Sequence, residues 1–268
     1  MPGIDFQDIM YRATPQDGIA LVTGASSGIG RATALELARG GYRVAVTARR
    51  AGELKQLAAT APEQIFAYPA DVTRRAEMAA VIGAIEAEVG PIALAFLNAG
   101  VFLTAERQGF DAAVIAETHA VNVGGTVNCL APLLAAMTRR GRGQIAVNAS
   151  LAAYNGLPGS LAYGSSKAAL IYMAEALKLD CEGRGVSIQV VCHGFVRTPM
   201  TDQETVFNMP FLMEPQDAAR RICDGFEKGG FEIAFPFRLA APTKFVRCLP
   251  YPMRFRLLAW SLSRARRR

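Results

Sequence analysis

Rhythm is the feature that most constrains what this chain can fold into. Short apolar runs rich in Val, Ile, Leu and Ala alternate with longer segments of helical period. Residues 19–24 (IALVTG), 42–48, 64–70, 92–98, 143–150 and 186–192 read as strands, with FEIAFP from Phe231 as a seventh. Helical period marks about 28–40, 51–59 and 73–89, and helical stretches precede the later strands. Strands separated by helices pair in parallel, because a parallel neighbour is reached only through a crossover. Runs that are apolar throughout fit strands covered on both faces. No internal repeat, low-complexity segment or linker interrupts the pattern. The expectation is one doubly wound α/β domain, a seven-stranded parallel sheet with helices on both faces.

Length and composition agree with that reading. The chain has 268 residues, 51% hydrophobic and 8% aromatic, a globular composition large enough for a full core. No uninterrupted apolar run reaches the roughly 18 to 20 residues of a membrane span. The acidic first segment, MPGIDFQDIMYRATPQDG, lacks the apolar stretch of a secretory signal. Cys129, Cys181, Cys192, Cys223 and Cys248 are odd in number and scattered, and neither His119 nor His193 completes a zinc pattern. Reduced thiols, a cytoplasmic setting and no metal site are expected. The net charge of +6 is unevenly placed. Nine of the 29 Lys and Arg fall in residues 236–268, which hold no Asp or Glu, leaving 20 cations against 23 anions elsewhere.

TGASSGIG, residues 23–30, lies between the first strand and its helix. Glycines there allow a tight turn, close backbone approach and helix–strand packing, while the helix N-terminus offers free N–H groups to a pyrophosphate. The end of the second strand then bears on the cofactor. An acid there would accept from a ribose 2′-hydroxyl, whereas arginine suits a 2′-phosphate. The chain has VTARR, with Arg49 nineteen residues past Gly30 and Arg50 after it, and the first acid, Glu53, inside the next helix. A guanidinium grips phosphate in two-pronged fashion, so NADP(H) is expected over NAD(H).

Further along, Tyr163 and Lys167 stand four residues apart in SLAYGSSKAAL, which puts them on one helix face. A free phenol has a pKa near 10, and a neighbouring cation favours its charged form. The expectation is therefore that the lysine brings the phenol toward working pH for acid–base chemistry.

With TGASSGIG, Asp71–Val72, LNAG (97–100), VNVGG around Asn122, and Ser150 thirteen residues before Tyr163 in YGSSK, the chain resembles the short-chain dehydrogenase/reductase family over residues 15–235. The resemblance implies a Rossmann fold and an oxidoreductase that moves hydride between a nicotinamide and a carbonyl or alcohol. It implies Tyr163 as general acid/base and Ser150 as the group holding the substrate oxygen. Lys167 would bind the nicotinamide ribose, and Asn122 would steady a helix and a water reaching Lys167. It assigns cofactor contacts to Gly24, Ser26, Ser27, Gly28, Ile29 and Gly30 of the turn, to Asp71 and Val72 at the adenine, and to Asn98, Ala99 and Gly100. Val196 and Thr198 would meet the nicotinamide amide and pyrophosphate. It also implies a homo-oligomer.

Two departures and two segments complete the reading. His193 stands where the family usually has proline, close to the expected substrate, as a packing residue or a substrate contact. Leu97 replaces the commoner asparagine. Residues 198–215 read as an apolar lid carrying Met200, Val206, Phe207, Met209, Phe211, Leu212 and Met213, with Phe102, Leu151, Tyr154 and Leu157 on the opposite wall. Flexible thioethers suit an adaptable apolar pocket, so an apolar small-molecule substrate is expected. Residues 1–235 form the expected catalytic domain and 236–268 a basic, aromatic extension. Pro242, Pro250 and Pro252 argue against one continuous helix there. The extension fits contact with an anionic membrane surface, with another subunit, or with the pocket; nucleic acid is not expected. The rival reading is a catalytically silent dinucleotide-binding regulatory or membrane-recruited scaffold protein, against which the joint presence of Asn122, Ser150, Tyr163 and Lys167 speaks.

Overall fold

The computed structural model describes residues 11–103, 110–181, 183–202 and 209–265. The seven strands are β1 (Ile19–Thr23), β2 (Val44–Thr47), β3 (Ile65–Ala67), β4 (Ile92–Leu97), β5 (Gly143–Asn148), β6 (Val186–His193) and β7 (Glu232–Phe235). They form one sheet in the order β3-β2-β1-β4-β5-β6-β7, and every pairing is parallel. The order reverses between β1 and β4, which opens a crevice at the carboxyl ends of the strands, where ligands of such sheets bind.

Side-chain alternation along each strand divides the core in two. Ile19 and Leu21 of β1 face one side with Ile92, Leu97, Ile145 and Val190; Ala20 and Val22 face the other with Val44, Val46, Phe96 and Val191. The first face is covered by α3 (Arg75–Glu88), α5 (Gly125–Arg140) and α6 (Leu161–Cys181), through residues such as Ile82, Leu133 and Leu170. The second is covered by α1 (Gly28–Arg39), α2 (Ala51–Ala59) and α8 (Pro215–Lys228), through Leu37, Leu57 and Ile222. Strands buried on both faces explain why their sequences are apolar throughout.

Before α5, helix α4 (Ala112–His119) runs into a π-helical turn, Ala120–Gly124. The continuous helical stretch Ala112–Arg140 is long and apolar enough to cross a membrane, but its inward stripe, Cys129, Leu130, Leu133 and Met137, packs on the sheet.

After β6, the short α7 (Pro199–Asp202) precedes α8. Val206 and Phe207, expected in the lid, lie outside the described residues. The lid's far end is fastened: Met213 N–H donates to the Phe195 carbonyl at 3.0 Å, and Arg197 N–H to the Met213 carbonyl at 2.9 Å.

Beyond β7 the chain forms α9 (Phe237–Cys248) and α10 (Tyr251–Ala265). The break falls at Leu249 and Pro250, as proline chemistry requires. Pro252 sits in the first turn of α10, where no N–H partner is lost, and Pro242 is absorbed inside α9. Ala240 of α9 is buried in the first core. Asn155 fastens both helices: its Nδ2 donates to the Thr243 carbonyl at 2.9 Å, and its Oδ1 accepts from Arg254 Nε at 3.0 Å.

Candidate active site

The site is a cavity of about 550 Å³ at the carboxyl ends of the strands. Its first wall is the turn between β1 and α1. Gly24 has φ +67°, and a Cβ there would stand 2.7 Å from Ala99 Cα. A Cβ on Gly30 would stand 2.5 Å from the Gly24 carbonyl oxygen. Gly24 thus brings the turn against the end of β4, and Gly30 lets the helix start beneath it. Asn98 locks the junction, donating from Nδ2 to the Thr23 carbonyl at 3.0 Å and accepting on Oδ1 from Asn148 Nδ2 at 2.9 Å.

Ser27 occupies the N-cap of α1, yet its hydroxyl makes no capping bond to the first turn. It accepts instead from Arg50 Nη2 at 2.7 Å, and Ser26 Oγ accepts from Arg50 Nη2 at 2.8 Å and from Nε at 3.1 Å. The sequence reading singled out Arg49, and the structure adds its neighbour. Arg49 also lines the cavity, as does Asp71. Burial works to raise the Asp71 carboxyl, but bonds from Thr73 N–H and hydroxyl, at 2.9 and 2.8 Å, and the charges of Arg49 and Arg74 hold it below the usual range.

The second wall carries the groups able to handle a proton. Ser150, two residues past β5, is almost buried; its hydroxyl donates to the His193 carbonyl at 3.4 Å and accepts from Ala152 N–H at 3.2 Å. It shares the cavity wall with the Tyr163 phenol, whose charged form it favours. Tyr163 and Lys167 lie one turn apart on α6, with Lys167 Nζ 5.5 Å from the phenol ring centroid. Phe102 meets the same ring edge-on, centroids 5.1 Å apart. Lys167 is 2% exposed and donates to the Asn148 carbonyl at 2.6 Å.

The expected electrostatic tuning is not what this geometry produces. Burial pushes the Tyr163 phenol up to about 12, and the Ser150 hydroxyl only partly offsets it. Burial likewise brings the Lys167 ammonium down to about 8. Removing a charge from water outweighs a cation aimed at a neighbouring carbonyl. His193 is half-buried, and burial lowers it to about 4 despite its contact with Gly194. Its Nδ1 lies 2.7 Å from the Gly194 carbonyl. A carbonyl only accepts, so Nδ1 holds the hydrogen and Nε2 is an acceptor. The ring is neutral at pH 7 and borders the cavity.

Of the residues expected to catalyse or to hold the cofactor, all but two line this cavity. Gly30 does not, because it packs under Gly24. Asn122 is wholly buried behind the wall. Its Oδ1 accepts from Val101 N–H at 2.7 Å, and its Nδ2 donates to the Val101 carbonyl at 3.0 Å and to Ser166 Oγ at 2.9 Å. Asn122 therefore positions the strand exit and α6. The π-helical turn that carries it was not visible in its sequence. Of the residues expected in the lid, Met200 and Met209 line the cavity but Phe211, Leu212 and Met213 do not, and Phe102, Leu151 and Leu157 line it opposite. Tyr154 does not; its carbonyl accepts from Arg247 and Arg254, at 3.2 and 3.3 Å. Leu239 and Thr243 of α9 complete the wall, residues that sequence reasoning left without a definite place.

A model of the short chain dehydrogenase family matches residues 18–207. The chain belongs to the short-chain dehydrogenase/reductase family. It is 38% identical over 237 residues to an uncharacterized oxidoreductase of Myxococcus xanthus, covering 87% of this chain and 93% of that protein. It is 30% identical to an acetoacetyl-CoA reductase of Rhizobium meliloti over 75% of this chain and 88% of that one. A short-chain dehydrogenase from Streptomyces avermitilis superposes with a TM-score of 0.77 at 26% identity, covering 92% of this chain and 98% of the other. The chain is thus an oxidoreductase of this family, whose members bind a nicotinamide dinucleotide. The cradle fits such a group: a turn with no room for side chains, a helix end without a side-chain cap, and two guanidinium groups beside it.

Proposed function

We propose that this oxidoreductase reduces a carbonyl group of an apolar small molecule with NADPH, Tyr163 handing its phenolic proton to the substrate oxygen. The observation that carries this reading is the convergence of Ser150, Tyr163 and Lys167 on one cavity wall. With its pKa raised to about 12, the phenol holds its proton throughout the neutral range. That is the form needed to protonate a developing alkoxide, and the opposite direction would need a phenolate. Ser150 Oγ, on the same cavity wall, orients the carbonyl oxygen. Lys167 would hold the nicotinamide ribose with its ammonium, and the dinucleotide, when bound, supplies the hydride. Asn122 acts behind the wall as a positioning residue. Met200, Met209, Leu151, Leu157 and Leu239 give the substrate end an apolar lining, which favours a substrate with a hydrocarbon portion.

The preference for NADPH rests on Arg49 and Arg50 at the end of β2, both exposed and both bordering the cavity. The acid there, Asp71, is on the neighbouring segment and is occupied by Thr73. Residues 1–235 form the catalytic unit in this reading, with 236–268 as an extension that closes it. Exposed Tyr172 and Leu179 on the outer face of α6 suit a contact between two copies of the chain.

Two measurements test the proposal. Tyr163→Phe lowers turnover by about 10²- to 10⁴-fold, the worth of a positioned acid, while NADPH affinity stays within twofold; turnover at the wild-type rate refutes the role. Fluorescence titration gives tighter NADPH than NADH binding, and Arg49→Ala with Arg50→Ala erases the difference. A clear NADH preference in the unaltered protein overturns the cofactor assignment.

A further inference from the structure

The C-terminal helices have two unlike sides. Inward, α9 sets Leu239 and Thr243 into the cavity wall and buries Ala240 in the core. Outward, Phe237 is 80% exposed, Phe245 64%, Tyr251 66% and Phe255 61%, with Met253 and half-exposed Trp260 nearby in sequence. A soluble surface scatters such residues singly; here they are gathered on two consecutive helices. The cations interleaved with them are unbalanced, since the last acid in the chain is Glu232. Lys244 is paired with that glutamate, and Arg247 and Arg254 donate to the Tyr154 carbonyl. Arg238 and Arg256 are exposed, and among the described residues neither makes an ion pair.

The geometry points to α9 and α10 as a docking face for an anionic lipid bilayer. Aromatic and thioether side chains enter the headgroup boundary while arginines meet lipid phosphates, the combination that holds an interfacial helix in place. Charge complementarity selects this occupant. A second copy presenting the same face would set cation against cation. A nucleic acid would satisfy the arginines but leave Met253 wet. Since α9 is also a wall of the cavity, a bilayer seated on its outer side lies one helix thickness from the substrate compartment. This inference goes beyond the proposed reduction and does not depend on it.

Flotation of the full chain with vesicles tests it without an activity readout. Vesicles of phosphatidylcholine alone are compared with vesicles of phosphatidylcholine and phosphatidylglycerol. The protein is expected to float with the anionic vesicles only, and less so as salt rises. Arg238→Gln and Arg256→Gln each lower the partition about fivefold, since each cation near such a surface contributes ~1 kcal/mol. Phe245→Asp with Phe255→Asp abolishes it. These positions are exposed, so unchanged thermal unfolding and NADPH fluorescence confirm that the variants are folded. Wild-type protein that stays with the lipid-free fraction, or floats equally with both vesicles, overturns the inference. So does retention on a single-stranded oligonucleotide without flotation. A lipid-independent dimer that Phe255→Asp dissolves would assign the face to a second copy instead.

Discussion

Tyr163 and Lys167 share one wall of the cavity, and burial sets the order in which they lose protons. With the ammonium at about 8 and the phenol at about 12, raising the pH removes the lysine charge first. Below pH 8 both groups are protonated, the form proposed to bind the cofactor and donate to substrate. NADPH-dependent reduction is therefore expected to decline as pH rises through about 8, well before the phenol ionises. A pH–rate profile measures this, and a descending limb that starts only above pH 10 would mean that Lys167 keeps its charge. The pairing of these residues was legible in the sequence because spacing of four is a property of any helix. The direction of the phenol's shift was not, because it depends on how deeply the cavity buries the ring, and burial is a sum over distant segments. Arg50 was hidden for a related reason. Both arginines follow β2 in the bend that leads to α2, and only the fold decides which of Arg49 and Arg50 reaches the turn hydroxyls.

Among the elements, the β1–α1 turn is the least tolerant of change. Gly30→Ala places a methyl 2.5 Å from the Gly24 carbonyl oxygen and as close to Asn98 Nδ2, a contact that backbone has to relieve. Overpacking of this kind typically costs 1–3 kcal/mol. The variant is expected to melt at lower temperature and to bind NADPH more weakly, since the turn that shifts is the cofactor cradle. An unchanged melting temperature in calorimetry would contradict the packing described. The strands and their parallel order were readable because apolar runs alternating with helical period leave few alternatives. The π-helical turn at Ala120–Gly124 was not, since its residues continue a helical pattern and the extra residue is accommodated by Thr126 Oγ1, which donates to the Asn122 carbonyl at 2.7 Å. The expected break falls at Leu249 and Pro250, and Pro242 is taken into α9. It loses one hydrogen bond near the start of α9, a loss that packing of Ala240 and Leu239 against the core offsets.

At the scale of the molecule, one buried side chain joins the last two helices to the body. Asn155 is 5% exposed and holds α9 by the Thr243 carbonyl and α10 by the Arg254 guanidinium. Asn155→Ala removes one bond to each helix, at about 1–3 kcal/mol for the buried Arg254 Nε, while Arg254 Nη2 keeps its bond to the Tyr154 carbonyl. Limited proteolysis is expected to cut within residues 236–265 of this variant before the sheet unfolds, whereas the wild-type chain resists there. Simultaneous loss of all fragments would mean that the helices and the sheet unfold as one unit. The region matched by the family model ends at residue 207, yet Met209, Leu239 and Thr243 beyond it border the cavity. In the proposed reading, the substrate lining therefore extends beyond the stretch that holds the reacting groups. Exchanging residues 236–265 with those of a relative is a route to altered selectivity that leaves the reacting groups untouched.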